Sequence, residues 1–335
     1  MSIIEIPQTI VPEDCFLHAI PKAPEGRYAH IILIRETESY SVFQTDGTLN
    51  IANVKRGLQE ETPFIRLAMF KRKQTSPERL TGRELLRRSG VTQNQNDKAE
   101  PKYCDYNEHF CQSCPDCVYY GFAIGDAGAE KSKVYVDTAY SISGYDESHQ
   151  QFSFNALFEK GNMSQKGKVR SSFGEQDHIV PQVYFPSVIT IKDVTLNSFA
   201  YVLNNVLRTK RYGAQTTRTG RIANHIVGVV FADGEIFSNL KLTQAIYDGL
   251  FDSGQMENTP LNQAEVIKNA EAVIPQLLSE DRVIFDHLHG GDLDELVDCV
   301  TAVTTDADKL QTFLEETNVE TTEYSKRVIQ SEKKK

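Results

Sequence analysis

Strand-like and helix-like segments alternate along this chain, but their spacing is not that of repeated βαβ units. Three runs are rich in β-branched and aromatic residues and predict strands, namely "YAHIILI" (28–34), "PFIRLAMF" (63–70) and "QVYFPSVITIKDV" (182–194). Apolar residues at helical spacing between Leu196 and Leu207 predict an amphipathic helix. Because no Gly-rich dinucleotide fingerprint is present, the sequence favours a mixed α+β sheet with helices on one side over a doubly wound fold.

Local signals predict further elements. The run "YSVF" at 40–43, followed by the turn residues "TDG", predicts a hairpin with the strand at 28–34. Thr81 is predicted to cap a short helix that ends at Gly90. Residues 159–181 are a connection longer than two neighbouring elements need. Three acidic helices are predicted further on, at 239–252, 261–279 and 304–317.

The chain's size and charge set the remaining limits. Its 335 residues are enough for one core elaborated by insertions. It contains no run of about eighteen apolar residues that would span a bilayer, and its first residues lack the basic start of a secretory signal, so we expect a cytoplasmic protein with no membrane partner.

The net charge is -10, but residues 1–232 hold 27 Lys+Arg against 25 Asp+Glu, while residues 233–335 hold 9 against 21. The acidity therefore belongs to the C-terminal third, and a basic surface elsewhere is compatible with nucleic-acid binding.

The segment "RTKRYGAQTTRTGR" (208–221) is purely basic, since no acid occurs between Asp193 and Asp233. Its glycines allow a phosphate to approach the backbone closely, and its hydroxyl and amide side chains supply neutral donors. The glycine spacing is not that of a nucleotide P-loop, which argues against NTP hydrolysis. We interpret the segment as a loop that follows a phosphate backbone, with a merely solvated loop as the alternative. Its candidate RNA-binding residues are Arg208, Lys210, Arg211, Gly213, Gln215, Thr216, Thr217, Arg218 and Arg221.

A second basic cluster follows the strand at 63–70. Arg79, Arg83 and Arg87 recur every four residues and share one face of a predicted helix. Glu78 and Glu84 leave open the alternative of a surface helix with salt bridges. The candidate RNA-binding residues of this cluster are Lys71, Arg72, Lys73 and Arg83.

Four cysteines lie within a short segment, in the pattern C-x6-C-x2-C-x2-C. They are Cys104, Cys111, Cys114 and Cys117. Four thiolates suit tetrahedral zinc with no open position, which predicts a structural Zn2+ that orders an insertion. An iron–sulfur cluster, a site in which His109 replaces one thiolate, and cysteines without metal are the alternatives. Cys15 and Cys299 are isolated and are expected to be buried as small apolar residues.

The two basic segments and the cysteine-bearing insertion together resemble a known family. That family is the backbone subunit of the type I-D CRISPR effector complex (Cascade), the subtype I-D member of the seventh CRISPR-associated family. The resemblance implies an RRM-like (ferredoxin-like) palm with large insertions, a zinc-bearing fingers insertion, a thumb hairpin and a helical acidic C-terminal part. The implied boundaries are palm at 1–90, fingers at 91–132, palm again at 133–260 with a thumb at 159–181 and the basic loop at 208–221, and the acidic helical part at 261–335.

The resemblance also implies a function and partners. Copies of such a subunit polymerise head-to-tail along one CRISPR RNA and present it for pairing with target DNA or RNA in an antiviral interference complex. The other implied partners are the large subunit, the capping subunit and the guide-processing endonuclease. No RRM aromatic signature is visible, so we expect loops and thumb rather than the sheet surface to hold the RNA. No catalytic residue is assigned; the alternatives are a metal-dependent nuclease that cuts the paired target strand, and a stand-alone zinc-containing RNA-binding module.

Overall fold

The computed structural model of the chain describes residues 3–92, 104–106, 108–125, 128–155, 164–165, 168–169, 173–213 and 219–330. The strands of this part of the chain are β1 (Tyr28–Thr37), β2 (Gln44–Thr45), β3 (Thr48–Leu49), β4 (Ile51–Lys55), β5 (Pro63–Met69), β6 (Phe122–Ala123), β7 (Ala129–Glu130), β8 (Val134–Val136), β9 (Ala139–Tyr140), β10 (His149–Asn155), β11 (Ser164–Gln165), β12 (Lys168–Val169), β13 (Phe173–Ile179), β14 (Tyr184–Lys192), β15 (Arg211–Gly213), β16 (Thr219–Ala232) and β17 (Phe285–Leu288). Its helices are α1 (Lys71–Arg88), α2 (Pro115–Tyr120), α3 (Tyr145–Ser148), α4 (Leu196–Arg208), α5 (Asn239–Asp252), α6 (Gln263–Glu280), α7 (Gly290–Thr304) and α8 (Ala307–Tyr324). None of these described helices combines the length and apolar character needed to cross a membrane.

Strand β1 lies at the centre of the main sheet. The strand order is β15-β16-β1-β14-β8, β17 adds to β16, and every pairing is antiparallel. The predicted hairpin between residues 28–34 and 40–43 is therefore wrong, because β1 is already paired on both edges. Residue Ser41 instead forms a single bridge with Ile179 at the end of β13.

Both faces of this sheet are covered by helices. Side chains of successive residues in a strand point to opposite faces. Ile31 and Leu33 pack into a cluster with α1, α4, α7 and α8, whereas Ile32 and Ile34 pack into a second cluster with α5 and α6. The α+β class is confirmed, but the expectation of helices on one side is wrong. The continuous apolar run of β1 is the pattern of a strand buried on both faces.

A third, smaller cluster supports the elements that carry the basic residues. Phe43 and Phe185 meet edge-on in it, with 5.5 Å between ring centroids. Tyr212 of β15, Ile222 of β16 and Ile179 of β13 belong to the same cluster. This third cluster therefore packs beneath two elements. One is the hairpin formed by β15 and the start of β16, and the other is the end of the hairpin formed by β10 and β13.

The helix predicted from Thr81 is longer than expected. Helix α1 begins at Lys71, so Thr81 lies inside it, where its hydroxyl accepts a hydrogen bond from Thr209. The predicted end is close, because α1 stops at Arg88 and Gly90 adopts a left-handed conformation, with φ of 73°. The prediction for α4 is confirmed, and Thr195 and Ser198 form a reciprocal capping box at its start.

The later segments agree in part with the predictions. Helix α5 coincides with the predicted 239–252, and α6 and α8 overlap the other two predicted helices. Helix α7 has no predicted counterpart, because it opens with Gly290 and Gly291, which are poor helix formers.

The long connection at 159–181 includes β13. This strand pairs with β10, and His149 of β10 lies opposite Ile179 of β13. We call this β10–β13 hairpin the arm.

Helix α1 is joined to the sheet by a fully buried ion pair. Arg35 of β1 and Glu78 of α1 have no solvent-exposed side-chain surface, and Arg35 Nη2 donates to Glu78 Oε1 at 2.8 Å. Tyr212 also donates to Glu78 Oε1, at 3.1 Å. Burial raises the pKa of Glu78, although Arg35 opposes this effect. The pair therefore connects β1, α1 and β15 through charges that water does not reach.

We expect Glu78→Ala to destabilise the protein strongly, because it leaves the Arg35 charge buried without a partner. The free energy of unfolding should fall by about 3–5 kcal/mol in urea denaturation. Glu84→Ala is the matched control, since Glu84 is an exposed acid of the same helix, and its effect should stay within about 0.5 kcal/mol. Equal effects of the two substitutions would contradict the prediction.

Candidate nucleic-acid interface and metal centre

The predicted basic loop is a β-hairpin. Strand β15 pairs with the start of β16, and Arg211 stands directly opposite Arg221 in the register. Both side chains are exposed. Like charges directly opposite each other on adjacent strands are destabilising. A polyanion that lies across this arginine pair would therefore reduce the repulsion between the two charges.

Residues that follow β1 partly offset the repulsion between the two arginines. Arg221 Nε donates to Glu38 Oε2 at 2.7 Å, and both side chains are about half exposed. The Arg221 backbone amide donates to the hydroxyl of Ser39 at 2.8 Å. A Cβ on Gly220 would lie 1.8 Å from Ser41 Oγ. Gly220 is thus needed for close packing against Ser41.

The other candidates of this segment have different environments. Lys210 is exposed, and Gly213 ends β15. Arg208 is half-buried, donates from Nε to Asn204 Oδ1 at 2.9 Å and donates to the carbonyl of Thr304. Its pKa is lowered by burial and then by the nearby Arg88. The remaining candidates, Gln215, Thr216, Thr217 and Arg218, lie outside the described residues.

The residues of the second basic cluster differ in exposure along α1. Phe70, Lys71 and Arg72 are exposed at the start of the helix, whereas Lys73 is buried and its pKa is lowered by burial and then by Arg72. Glu78, which contacts Tyr212 of the hairpin, is seven positions after Lys71, so the start of the helix lies about 10 Å along the axis from that contact. Lys71 and Arg72 are therefore exposed cations on the same helix that contacts the hairpin.

Arg83 lies in the interior instead. It is 2% exposed, its Nε donates to Asp116 Oδ2 at 2.7 Å, and its Nη1 donates to the carbonyl of Cys104 at 2.8 Å. Arg79 also donates to Asp116, at 3.0 and 2.8 Å, and Asp116 is fully buried. Asp116 thus neutralises Arg79 and Arg83, while Arg87 lies 3.3 Å from a carboxylate oxygen of Asp105. The surface formed by exposed cations therefore excludes Arg83.

The four cysteines converge on one point. Sulfur–sulfur distances are 3.5 Å between Cys104 and Cys117, 3.7 Å between Cys104 and Cys114, and 4.0 Å between Cys111 and Cys117. All four Sγ atoms lie within 4.8 Å of one another. Four sulfurs at about 2.3 Å from a tetrahedral zinc are about 3.8 Å apart. The described cysteines therefore fit a Zn2+ with four thiolate ligands.

Donors around the sulfurs also fit such a centre. The backbone amides of Cys111 and Cys114 donate to Cys104 Sγ and Cys111 Sγ at 3.4 and 3.3 Å, and Arg83 Nη1 donates to Cys104 Sγ at 3.2 Å. Hydrogen bonding with the side chains of Cys104, Cys114 and Cys117 lowers the pKa of Cys111. A bound cation would let all four thiols ionise, and Arg83 would offset part of the resulting negative charge.

The cysteine segment is part of the main core. Cys104, Cys114 and Cys117 are buried in the same cluster as α1 and α4, and Tyr119 packs against Tyr201 with 5.8 Å between ring centroids. Cys111 alone of the four is exposed. Of the two isolated cysteines, Cys15 is buried as predicted and Cys299 is half-exposed. Metal bound here would therefore support the core beneath α1 as well as its own segment.

The family model described as Csc2 Crispr matches residues 15–314. The chain belongs to the Csc2 family. The crystal structure of Thermofilum pendens Csc2 has a similar fold, with a TM-score of 0.58 and 14% identity over 93% of this chain and 94% of that one. A chain of a "CRISPR RNA-guided surveillance complex" has a TM-score of 0.49 and 13% identity, over 83% of this chain and 98% of that one. No curated protein matches this Csc2 family member in sequence with statistical significance.

Metal analysis is expected to find about one zinc per chain, and none after combined Cys111→Ser and Cys114→Ser substitution. Because Cys114 and its neighbours belong to the main core, the midpoint of thermal unfolding of the whole chain should also fall. Cys299→Ser is the control and should keep both the metal and the midpoint. Equal zinc content in the double variant and the wild type would show that these cysteines are not its ligands.

Proposed function

We propose that this Csc2 family member is a backbone subunit of a CRISPR RNA-guided complex and binds the CRISPR RNA along its exposed cations. The observation that carries the proposal is the cross-strand pair of Arg211 and Arg221, which is exposed on a hairpin whose Tyr212 and Ile222 pack in the third apolar cluster. Two like charges held in register are an unfavourable arrangement for a free protein and a favourable one for a bound phosphate backbone. Membership of the family described as Csc2 Crispr supports an RNA of a CRISPR system as this ligand.

The proposed RNA surface runs along the rim of the sheet rather than over its face. Both faces of the main sheet are covered by helices, so bases cannot stack on the strands as they do in many RRM domains. The exposed cations lie where elements end: Lys71 and Arg72 at the start of α1, and Lys210, Arg211 and Arg221 on the hairpin. The proposed contacts are therefore mostly to phosphates, which leaves sequence discrimination to base pairing by the guide.

The topology supports an RRM-like palm as part of this proposal. Strands and helices of the main sheet follow one another as β1, α1, β8, β14, α4 and β16, which is the β-α-β-β-α-β order of ferredoxin-like folds. The arm is inserted between β8 and β14, in the position proposed for the thumb. The segment that carries the cysteines is inserted between α1 and β8, in the position proposed for the fingers.

Subtype I-D membership and a filament of identical copies complete the proposal. A subunit that follows a guide RNA meets its neighbour through two unlike surfaces, which gives a head-to-tail contact that does not close into a dimer. The proposed further partners are the large, capping and guide-processing subunits of the same complex. The proposed metal is a structural Zn2+ at the four cysteines, supported by their sulfur–sulfur distances.

Combined Arg211→Ala and Arg221→Ala substitution should weaken binding of single-stranded RNA of any sequence. Two lost phosphate contacts should lower the slope of log affinity against log salt by about 1.4. Fluorescence anisotropy at several salt concentrations measures both quantities. The matched control replaces Lys268 and Lys309, two exposed cations of the acidic third, and should leave affinity and slope nearly unchanged.

Glu38→Gln provides the opposite test within the same assay. It removes the acid that competes with phosphate for Arg221, and RNA affinity should rise by about two- to fivefold at low salt. Glu257→Gln makes the same charge change at another exposed site and should have a smaller effect. An unchanged salt slope in the arginine variant, together with no gain from Glu38→Gln, would contradict the proposed surface.

Assembly is expected to depend on RNA length, because each copy occupies a fixed stretch of guide. The mass of the complex, measured by light scattering after size exclusion, should increase stepwise as the single-stranded RNA is lengthened. The Arg211 and Arg221 double variant serves as the control and should assemble poorly at every length. A constant dimer on RNAs of very different length would contradict head-to-tail assembly.

A further inference from the structure

Tyr40 occupies a position between the basic hairpin and the arm. The segment 38–41 contacts both: Glu38 and Ser39 accept hydrogen bonds from Arg221, and Ser41 exchanges backbone hydrogen bonds of 3.0 and 2.8 Å with Ile179. Tyr40 lies in the middle of this segment and is 42% exposed. It is therefore an exposed aromatic side chain two residues from Glu38, the acid that contacts Arg221.

The ring of Tyr40 is held in place from the arm. Its hydroxyl donates to Gln150 Oε1 at 2.9 Å. The ring stands at 88° to that of Phe152, with 4.8 Å between centroids, and at 88° to that of His178, with 6.4 Å between centroids. A side chain fixed by these contacts loses little conformational freedom when a ligand packs on its exposed part.

An aromatic ring beside cations is the chemistry that binds single-stranded nucleic acid. Cations follow the phosphates, and rings stack against unpaired bases with little dependence on sequence. Glu38 and Ser39, which hydrogen-bond Arg221, directly precede Tyr40 in the chain. A strand that contacts Arg221 with its phosphates is therefore expected to present a base to Tyr40.

We propose that Tyr40 stacks against an unpaired base of the RNA whose phosphates lie on Arg211 and Arg221. This inference rests on the proposed function and adds to it a contact that involves no charge. The arm takes part indirectly, because Gln150 and Phe152 set the orientation of the ring. Stacking of one base adds affinity at every salt concentration, whereas the arginine contacts add a dependence on salt.

The first test compares substitutions of Tyr40 in binding to a short single-stranded RNA over a range of salt concentrations. Tyr40→Leu should lower the affinity by about tenfold at every salt concentration and leave the slope unchanged. Tyr40→Phe keeps the ring and loses only the hydrogen bond to Gln150, so it should retain most of the affinity. If the hydroxyl mattered only for holding the structure, Tyr40→Phe would lower the RNA affinity as much as Tyr40→Leu.

The second test uses the absence of tryptophan from the chain. Tyr40→Trp introduces one fluorophore at the site, and stacking of a base should quench its emission when RNA is added. Phe251→Trp is the matched control, because Phe251 is 53% exposed and lies on α5, away from the hairpin, so its emission should not change.

The outcomes separate this inference from the function on which it rests. Wild-type RNA binding with full affinity in Tyr40→Leu and no quenching in Tyr40→Trp would overturn the stacking role and leave the proposed RNA surface intact. Absence of RNA binding by the wild type would overturn both. Quenching in Tyr40→Trp together with a salt-independent loss in Tyr40→Leu is the result expected.

Discussion

Buried charge on both sides of helix α1 determines how the rest of the molecule is arranged. Toward the sheet, the helix presents Glu78 to Arg35, and toward the cysteine segment it presents Arg79 and Arg83 to Asp116. These side chains are buried or nearly so, and each charge would be strongly unfavourable without its partner. Helix α1 is therefore fixed in register between the sheet and the candidate metal centre. The same Glu78 holds Tyr212, so the position of the basic hairpin follows from that of the helix.

The elements that could be predicted from sequence are those whose pattern is local and strong. The strand at 28–34 carries a continuous apolar run, and helices α4 and α5 carry a periodic apolar pattern over most of their length. Strand partners could not be predicted in this way. Strand β1 pairs with β14 and β16, which are far along the chain, whereas the local signal favoured residues 40–43. Residues 40–43 turn instead toward β13, and this non-local choice gives Tyr40 its position beside the arm.

The surroundings of the candidate site residues could be predicted less well than the fold, for a related physical reason. Spacing of four residues shows that Arg79, Arg83 and Arg87 share a helix face, but it does not show whether that face meets water or a buried acid. The deciding residue, Asp116, lies inside the cysteine segment, where the sequence drew attention to the sulfurs. The cysteines were recognisable because all four lie between residues 104 and 117, and close spacing of this kind is typical of structural zinc sites. No sequence signal identified Glu38 or Tyr40, since their significance comes only from the contacts they make with Arg221 and the arm.

The main sheet ends in very short strands. Strand β8 at one edge has 3 residues, while β15 and β17 at the other have 3 and 4. A short edge strand offers few unpaired backbone groups to a strand of another molecule. For a chain proposed to lie beside many copies of itself, this geometry disfavours fusion of neighbouring sheets into one continuous ladder. In the proposed filament, contact between copies would then be left to side-chain surfaces, so the polymer would take the length of its RNA template and would not grow as a β-fibre.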